Sequence, residues 1–276
     1  MSVETENKTG KEVSENSVKD SNVPSNLVGV LLAAGIGKRL RPLTNFTPKV
    51  FLPVYNKPLV FYPLELLKDL GVNKVVVVAS QNNFEMFKNM LGDGESLGLR
   101  LEYVVQEKPM GTADAVNTAK TAVKGERILV MPADTIYNMK PDEVNEVRQK
   151  LRKFESSGNA LLFVKRVKDP KRFGVVEIDG KGGVVNIEEK PENPKSNFIL
   201  AGMYAFDETV FKKISEIGLS VRGELEITDA INRYIQQDGR VDCYKIKGGF
   251  IDTGTFEDLF RATKEMRKQR LRNISA

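Results

Sequence analysis

The sequence contains no histidine among its 276 residues, and its single cysteine is Cys243. The absence of histidine excludes histidine-containing catalytic triads, imidazole metal ligands and imidazole acid–base catalysis. One cysteine cannot form an intrachain disulfide or a cysteine-based zinc site. Any metal bound by this chain must therefore have oxygen ligands, which favours magnesium, manganese or calcium.

Long apolar segments are also missing. No apolar run approaches the ~20 residues of a membrane span. Residues 1–26 contain eight charged side chains and lack the hydrophobic core of a signal peptide. Their composition predicts a disordered polar tail over residues 1–26. We therefore expect a cytoplasmic protein with no membrane partner.

The net charge of +5 is unevenly distributed along the chain. Residues 261–272, "RATKEMRKQRLR", contain six basic residues and one acid. Positive charge near the end of a helix is stabilised by the helix dipole, so this pattern favours a solvated helix end. A nucleic-acid-binding module is the alternative, and it predicts binding that weakens steeply with salt. We expect no nucleic-acid partner.

From residue 27 onward, short β-rich runs alternate with helical patterns. Strands are predicted at 27–32, 74–79, 100–105, 127–131 and 160–165. Helices are predicted at about 60–70, 83–91, 111–122 and 141–157. Strands rich in Val, Ile and Leu that alternate with helices are typical of a parallel sheet covered on both faces. Ligands of such folds bind beyond the carboxyl ends of the strands.

The regular alternation of predicted strands and helices ends after residue 165. The runs "RFGVVEI" and "GGVVNIEEK" are separated by "DGKG", which predicts a hairpin. Further strands are predicted at "FILAGMYAF" and "RVDCYKI", with helices near 207–217 and 226–237 and a closing helix from "TFEDLF". The pattern predicts a single α/β domain over residues 27–276, with a β-rich second half.

The stretch "LLAAGIGKRLRPLTNFTPK" places two glycines and three cations directly after the first predicted strand. A P-loop would need Ser or Thr where Arg39 follows Lys38, and a dinucleotide fingerprint would need glycine in place of Leu40. A turn of small residues lets backbone N–H groups approach an anion, and Arg and Lys neutralise phosphate oxygens. We interpret the stretch as a triphosphate-binding loop; the alternative is a tight turn with solvated basic side chains.

These residues resemble a known family. "LAAGIGKRLRPLT…PK" is similar to the signature of the sugar-1-phosphate nucleotidylyltransferases. Further motifs, in the family's order, are "LPVYNKPLVFYPLELL", "RFGVVEID", "EEKPENPKSN", "RGELEITDA" and "IDTGTFEDL". The resemblance extends from Leu27 to Leu271 and is strongest to the glucose-1-phosphate thymidylyltransferases. It implies an α/β fold with a Rossmann-like, mostly parallel sheet flanked by helices and a β-rich sugar-binding half, the nucleotide-diphospho-sugar transferase fold.

The resemblance also implies roles for residues of the nucleotide site. Gly35 and Gly37 would belong to the loop that wraps the nucleoside triphosphate, and Arg39 would stabilise its β- and γ-phosphates. Gln106 offers both a donor and an acceptor, which suits the edge of a pyrimidine. Gly111 would let the base lie against the backbone.

The catalytic residues implied by the resemblance are Arg39, Lys49, Asp134 and Asp252. Lys49 would lie at the α-phosphate, where charge develops during transfer. Asp134 and Asp252 would be the metal ligands that hold Mg²⁺ between the phosphates. Each aspartate alone would more often be a helix cap or a turn residue.

The sugar site implied by the resemblance includes backbone, acidic and basic positions. Glu189 would bind sugar hydroxyls, and Lys190 and Arg222 would bind the sugar phosphate. Tyr204 would line the sugar pocket, with packing in the core as its alternative role. The glycines that would let the backbone approach the sugar are Gly174 and Gly202.

The reaction implied is the transfer of a nucleotidyl group from dTTP to glucose 1-phosphate, giving dTDP-glucose and pyrophosphate. The attacking phosphate is already an anion near neutral pH, since the second pKa of a phosphomonoester is about 6. No general base is needed, so a chain without histidine can catalyse this transfer by positioning and charge neutralisation.

Several alternatives remain open from the sequence, and one of them is another hexose phosphate in place of glucose 1-phosphate. UTP could replace dTTP, because the bases differ by one methyl group, worth ~1–3 kcal/mol in an apolar pocket. The run "QEKPMGTADA" is more similar to uridylyl-type and archaeal members of the family. A catalytically inactive sensor or scaffold subunit would be recognised by loss of the catalytic residues, all of which are present. The resemblance also suggests a homo-oligomer, either a tetramer or a dimer.

Overall fold

The computed structural model of the protein describes residues 27–157, 159–238 and 241–274. The tail predicted over residues 1–26 lies outside the described residues. The strands, numbered in chain order, are Leu27–Leu32 (β1), Pro53–Val54 (β2), Lys57–Pro58 (β3), Lys74–Ser80 (β4), Arg100–Gln106 (β5), Arg127–Pro132 (β6), Thr135–Asn138 (β7), Ala160–Arg166 (β8), Gly174–Ile178 (β9), Gly183–Glu189 (β10), Phe198–Phe206 (β11), Val241–Lys245 (β12) and Gly249–Asp252 (β13). The α-helices are Phe61–Asp69 (α1), Phe84–Leu91 (α2), Thr112–Thr118 (α3), Lys120–Val123 (α4), Pro141–Ser157 (α5), Val210–Ser215 (α6), Ile227–Asp238 (α7) and Phe256–Ile274 (α8).

Nine strands form one sheet in the order β5-β4-β1-β6-β11-β8-β12-β10-β9. Strands β5, β4, β1 and β6 are parallel neighbours, and β8 and β12 are also parallel. Strands β10 and β11 run opposite to the others in this sheet. The predicted mostly parallel α/β fold is therefore confirmed, and the predicted hairpin is the antiparallel pair β9–β10.

Both faces of the sheet are covered by helices, as the continuous apolar strands predict. In β4, Val75 and Val77 pack into one core with residues of α1, α2 and α5. Val76 and Val78 pack into a second core with residues of α3, α4, α6 and α7. Successive side chains of a strand point to opposite faces, so a strand buried on both faces has no polar alternation. None of the helices in the described residues is both long and apolar enough to cross a membrane.

Several short elements differ from the sequence prediction. The predicted helix over 111–122 is divided into α3 and α4. At this point the Thr118 hydroxyl donates to the Asp114 carbonyl oxygen (2.9 Å) and the Ala119 amide donates to the Val116 carbonyl oxygen (3.1 Å). The sequence analysis also missed the antiparallel pair β7–β13, in which Thr135 lies opposite Asp252. These strands have only four residues each, too short for a periodic pattern.

Candidate active site

The loop after β1 turns sharply at Gly37. This residue has a φ of +69°, and a Cβ atom there would lie 3.0 Å from both Lys49 Cβ and Thr44 Cγ2. The Thr44 hydroxyl donates to the Gly37 carbonyl oxygen (2.9 Å) and fixes the turn. At Gly35 a Cβ atom would meet no other atom within 4 Å, so packing does not require a glycine here. The absence of a side chain instead leaves the backbone accessible.

A buried asparagine holds the base of this loop. The Asn83 side-chain amide donates to the Ala33 carbonyl oxygen (2.9 Å), and its Oδ1 atom accepts from the Ser80 amide (2.7 Å). Asn83 therefore joins the glycine loop to the carboxyl end of β4. The sequence analysis did not identify this residue, because a contact across 50 positions leaves no local pattern around Asn83.

Lys49 and Asp134 form an ion pair in which Nζ and Oδ2 are 2.6 Å apart. Only 8% of the Lys49 side chain is exposed, against 32% for Asp134. A buried ammonium group needs a charged or hydrogen-bonding partner, and Asp134, placed just after β6, supplies it. Lys49 therefore points into the protein, with its charge held beside Asp134.

Asp252 is far from Asp134 in the sequence but lies close to it in the structure. It lies opposite Thr135 in the β7–β13 pair, and the Thr253 amide and hydroxyl donate to the Asp134 carbonyl oxygen (3.2 and 2.8 Å). Burial and the Asp134 charge raise the pKa of the Asp252 carboxyl, while Lys49 and Arg39 oppose the shift. The two aspartates and the two cations therefore act on one another.

Arg39 belongs to the same group, and its guanidinium lies close to the backbone at Gly254. A Cβ atom at position 254 would lie 2.6 Å from Arg39 Nη2 and 3.0 Å from Cζ. The guanidinium thus lies directly against the backbone that follows Asp252. No role was predicted for Gly254, although its place in the motif "IDTG" was a signal available in the sequence.

Two converging carboxylates fit a divalent cation. In the described residues, no three acidic or cysteine side chains form a complete metal site. Mg²⁺ is commonly bound by one or two carboxylates together with substrate phosphates and water. Burial and the neighbouring Asp134 charge both disfavour the ionised Asp252 carboxylate and raise its pKa, so a cation bound here would stabilise the ionised form. Asp134 and Asp252 therefore suit a cation whose remaining ligands come from the substrate.

The residues predicted for base recognition lie at the carboxyl end of β5. Gln106 is buried, and its amide nitrogen donates to Asp114 Oδ2 (2.7 Å) and the Gly111 carbonyl oxygen (3.4 Å). A Cβ atom at Gly111 would lie 2.5 Å from the Leu225 carbonyl oxygen. This glycine is therefore required by backbone packing, a reason that differs from the predicted contact with a base.

Glu189 is the centre of the group predicted to bind the sugar phosphate. Its Oε1 atom lies 3.2 Å from Lys190 Nζ and 3.3 Å from Arg222 Nη1. Gly174 lies opposite Glu189 in the β9–β10 pair. A Cβ atom at Gly174 would meet the Thr228 methyl group at 2.9 Å. The Thr228 hydroxyl is buried and has no hydrogen-bond partner in the described residues, and the sequence analysis did not identify it.

Gly202 and Tyr204 lie at an irregularity of β11. Gly202 has a φ of +77°, and a Cβ atom there would lie 2.9 Å from Pro132 Cγ. Tyr204 is buried and stacks on Phe206, which fits the alternative role of core packing. Burial raises the pKa of its phenol, and the charge of Glu189 adds to the shift. The predicted residues that contact one another thus form three groups: one around Asp134 and Asp252, one around Gln106 and Gly111, and one around Glu189.

The chain is similar in sequence to several known proteins. Residues 28–269 match the family model described as nucleotidyl transferase. The low-salt glycan biosynthesis nucleotidyltransferase Agl11 of Haloferax volcanii is 38% identical over 86% of this chain, and the match covers 65% of that relative's length. A glucose-1-phosphate thymidylyltransferase of Neisseria gonorrhoeae is 37% identical over 85% of this chain and 80% of its own.

Solved structures show the same fold. A Bacillus anthracis structure assigned as a glucose-1-phosphate thymidylyltransferase, in complex with a sucrose, has a TM-score of 0.80 and 33% identity. That match covers 87% of this chain and 95% of the other. A UDP-glucose pyrophosphorylase complexed with UDP-glucose has a TM-score of 0.77 at 23% identity, over 88% and 99% of the two chains. The second likeness concerns the fold alone.

Proposed function

Because this chain belongs to the nucleotidyl transferase family, we propose that it transfers a nucleotidyl group from dTTP to glucose 1-phosphate. The products are dTDP-glucose and pyrophosphate. The observation that carries this proposal is the group formed by Arg39, Lys49, Asp134 and Asp252 at the carboxyl ends of β1 and β6. The names of the relatives that are 33–37% identical support the choice of substrates.

The reaction needs positioned charge rather than proton transfer. An oxygen of the sugar phosphate attacks the α-phosphorus in line, a new P–O bond forms, and the bond to the departing pyrophosphate breaks. Lys49 stabilises the charge that develops at the α-phosphate, and Arg39 stabilises the leaving group. Gly35 and Gly37 let the loop backbone approach the triphosphate.

Asp134 and Asp252 hold Mg²⁺ in this proposal. When bound, the ion neutralises phosphate charge, which favours both nucleotide binding and departure of pyrophosphate. In its absence, Lys49 supplies the positive charge beside Asp134. The aspartates therefore have a counter-charge both before and after the substrates arrive.

The remaining contacts of the proposal select the substrates. Gln106 and Gly111 contact the base. Glu189 binds sugar hydroxyls. Lys190 and Arg222, which pair with Glu189 in the structure, turn toward the sugar phosphate and bind it. The additional sugar-site residues are Gly174, Gly202 and Tyr204.

UTP is the alternative nucleotide, and other hexose 1-phosphates are alternative acceptors. An inactive sensor or scaffold is disfavoured because the catalytic residues are present and also gathered in one group. We further propose that residues 27–276 act as one nucleotidyltransferase domain and that the chain forms a homo-oligomer, a dimer or a tetramer. Light scattering of the purified protein tests the oligomeric state.

Pyrophosphate release tests the reaction. The purified protein is incubated with Mg²⁺ and glucose 1-phosphate, and dTTP, UTP, CTP, ATP and GTP are supplied separately. Release with dTTP supports the proposal, and release with UTP alone moves the enzyme to the uridylyl branch. No release with any nucleotide, repeated with other sugar phosphates, would reject the enzymatic function.

A further inference from the structure

Asp114 constrains the orientation of the Gln106 amide. Gln106 ends β5 and is buried, and Asp114 lies in the first turn of α3. The nitrogen Nε2 of Gln106 is 2.7 Å from Asp114 Oδ2 and 3.4 Å from the carbonyl oxygen of Gly111. Both partners are hydrogen-bond acceptors.

This chemistry leaves one orientation for the amide. A carboxylate and a backbone carbonyl only accept hydrogen bonds, so the NH₂ group of Gln106 has to face them. Both of its hydrogens are used, and Oε1 accepts no hydrogen bond from any residue that the structure describes. A ligand beside Gln106 therefore meets an acceptor and no free donor from this side chain.

We propose that Asp114 is a positioning residue that turns the Gln106 oxygen toward the base and thereby selects uracil and thymine over cytosine. The inference rests on the proposed function, in which Gln106 contacts the base. Uracil and thymine carry an N–H at position 3, which donates to Oε1. Cytosine has an unprotonated nitrogen there, and the two lone pairs face each other. A site built around a substrate N–H rejects the analogue that lacks it.

A purely structural role for Asp114 makes a different prediction. Acidic residues in the first turn of a helix interact favourably with the helix dipole, and Asp114 has this position in α3. If that were its whole role, replacing Asp114 would change the thermal stability and leave the choice of base unchanged. The ratio between two nucleotides therefore separates the two roles.

The test compares dUTP with dCTP, which share the deoxyribose and lack the methyl group of thymine. In Asp114→Asn the neighbour of Gln106 can donate as well as accept, so the amide can turn over. We expect the dUTP-to-dCTP ratio of kcat/KM to fall at least about tenfold, equivalent to ~1.4 kcal/mol. The dTTP-to-dUTP ratio, which reports on the methyl group, is expected to stay within twofold.

Asp142→Asn is the matched control, because Asp142 is an exposed acid in the first turn of α5. It makes the same chemical change away from the base, and both ratios are expected to remain those of the parent. An active Asp114→Asn variant with an unchanged dUTP-to-dCTP ratio would overturn the inference, as would a parent that uses both nucleotides equally.

Calorimetry of dUTP and dCTP binding in the presence of Mg²⁺ keeps the test independent of turnover. Selective binding of dUTP by the parent, lost in Asp114→Asn, would uphold the inference even if no product formed, and the proposed function alone would then be rejected. Equal binding of dUTP and dCTP by the parent would overturn the inference whatever the activity.

Discussion

Lys49 and Asp134 are separated by 85 positions in the sequence, yet their Nζ and Oδ2 atoms lie 2.6 Å apart. Lys49 belongs to the loop that follows β1, and Asp134 directly follows β6, which is the parallel neighbour of β1 in the sheet. The carboxyl ends of adjacent parallel strands meet at one edge. The ion pair is therefore a direct consequence of the strand order.

Replacing Lys49 by methionine is expected to reduce kcat about 10²–10³-fold, the usual effect of removing one stabilising group at a transition state. Methionine keeps most of the length of the lysine side chain but removes its charge. Steady-state kinetics with dTTP and glucose 1-phosphate measure the change. Lys57→Met is the control, because it breaks the pair with Glu65, which is more exposed and lies outside the group of Arg39, Asp134 and Asp252, and its kcat should stay near that of the parent. Equal loss in both variants would contradict a specific role of Lys49.

The segment before β13 depends on Glu143. This buried carboxylate accepts from the Lys247 amide (2.6 Å) and the Gly248 amide (2.8 Å), and β13 carries Asp252. Charge-assisted hydrogen bonds contribute ~1.5–3 kcal/mol, so Glu143→Gln should lower the free energy of unfolding by about that amount. Urea denaturation measures this loss, and kcat should fall with it because Asp252 is displaced.

Glu146→Gln is the control for Glu143. Glu146 is more exposed and accepts from Lys247 Nζ and the Tyr244 hydroxyl. Its replacement should lower the unfolding free energy by less than Glu143→Gln does, as expected for an exposed pair, and leave kcat unchanged. If the two variants were equally stable and active, the anchoring role of Glu143 would be wrong.

Replacing Gly111 by alanine is expected to destabilise the protein by about 2 kcal/mol or more. Its φ of +119° disfavours any side chain, and the added Cβ atom would lie 2.5 Å from the Leu225 carbonyl oxygen, which is backbone and cannot rotate away. Thermal unfolding measures the effect. Gly218→Ala, where the new Cβ atom meets nothing within 4 Å, should change the melting temperature little.

The pKa of Glu226 predicts a pH dependence of stability. Burial and the charge of Glu189 raise its pKa from the ordinary value of 4.5, although Arg222 opposes the shift. The folded state then binds more protons than the unfolded state, so Glu226 reduces the stability as the pH rises from about 4.5 through its raised pKa. Glu226→Gln removes this ionisation. The melting temperature of the variant relative to the parent should therefore increase between pH 4.5 and 8, and a constant difference would contradict the prediction.

The sequence was sufficient to predict the fold. The charged side chains that it singled out around the first loop, Arg39, Lys49, Asp134 and Asp252, lie together in the structure. Strands β1, β4 and β6 are long and apolar on both faces, so their bounds follow from local composition. Asn83 and Gly254 were missed because their contacts depend on three-dimensional proximity. The same holds for Asp114: its first-turn position can be read from the sequence, but its hydrogen bond to Gln106 cannot.

Two backbone hydrogen bonds connect the segment proposed to bind the base with the segment that contains Leu225, from the Leu225 amide to the Met110 carbonyl oxygen (2.7 Å) and from the Ala113 amide to the Leu225 carbonyl oxygen (3.0 Å). Backbone groups do not depend on side-chain identity. The connection can therefore survive substitutions on either side of it that keep the backbone in place. This part of the fold is a suitable scaffold for laboratory evolution toward new pairs of nucleotide and sugar.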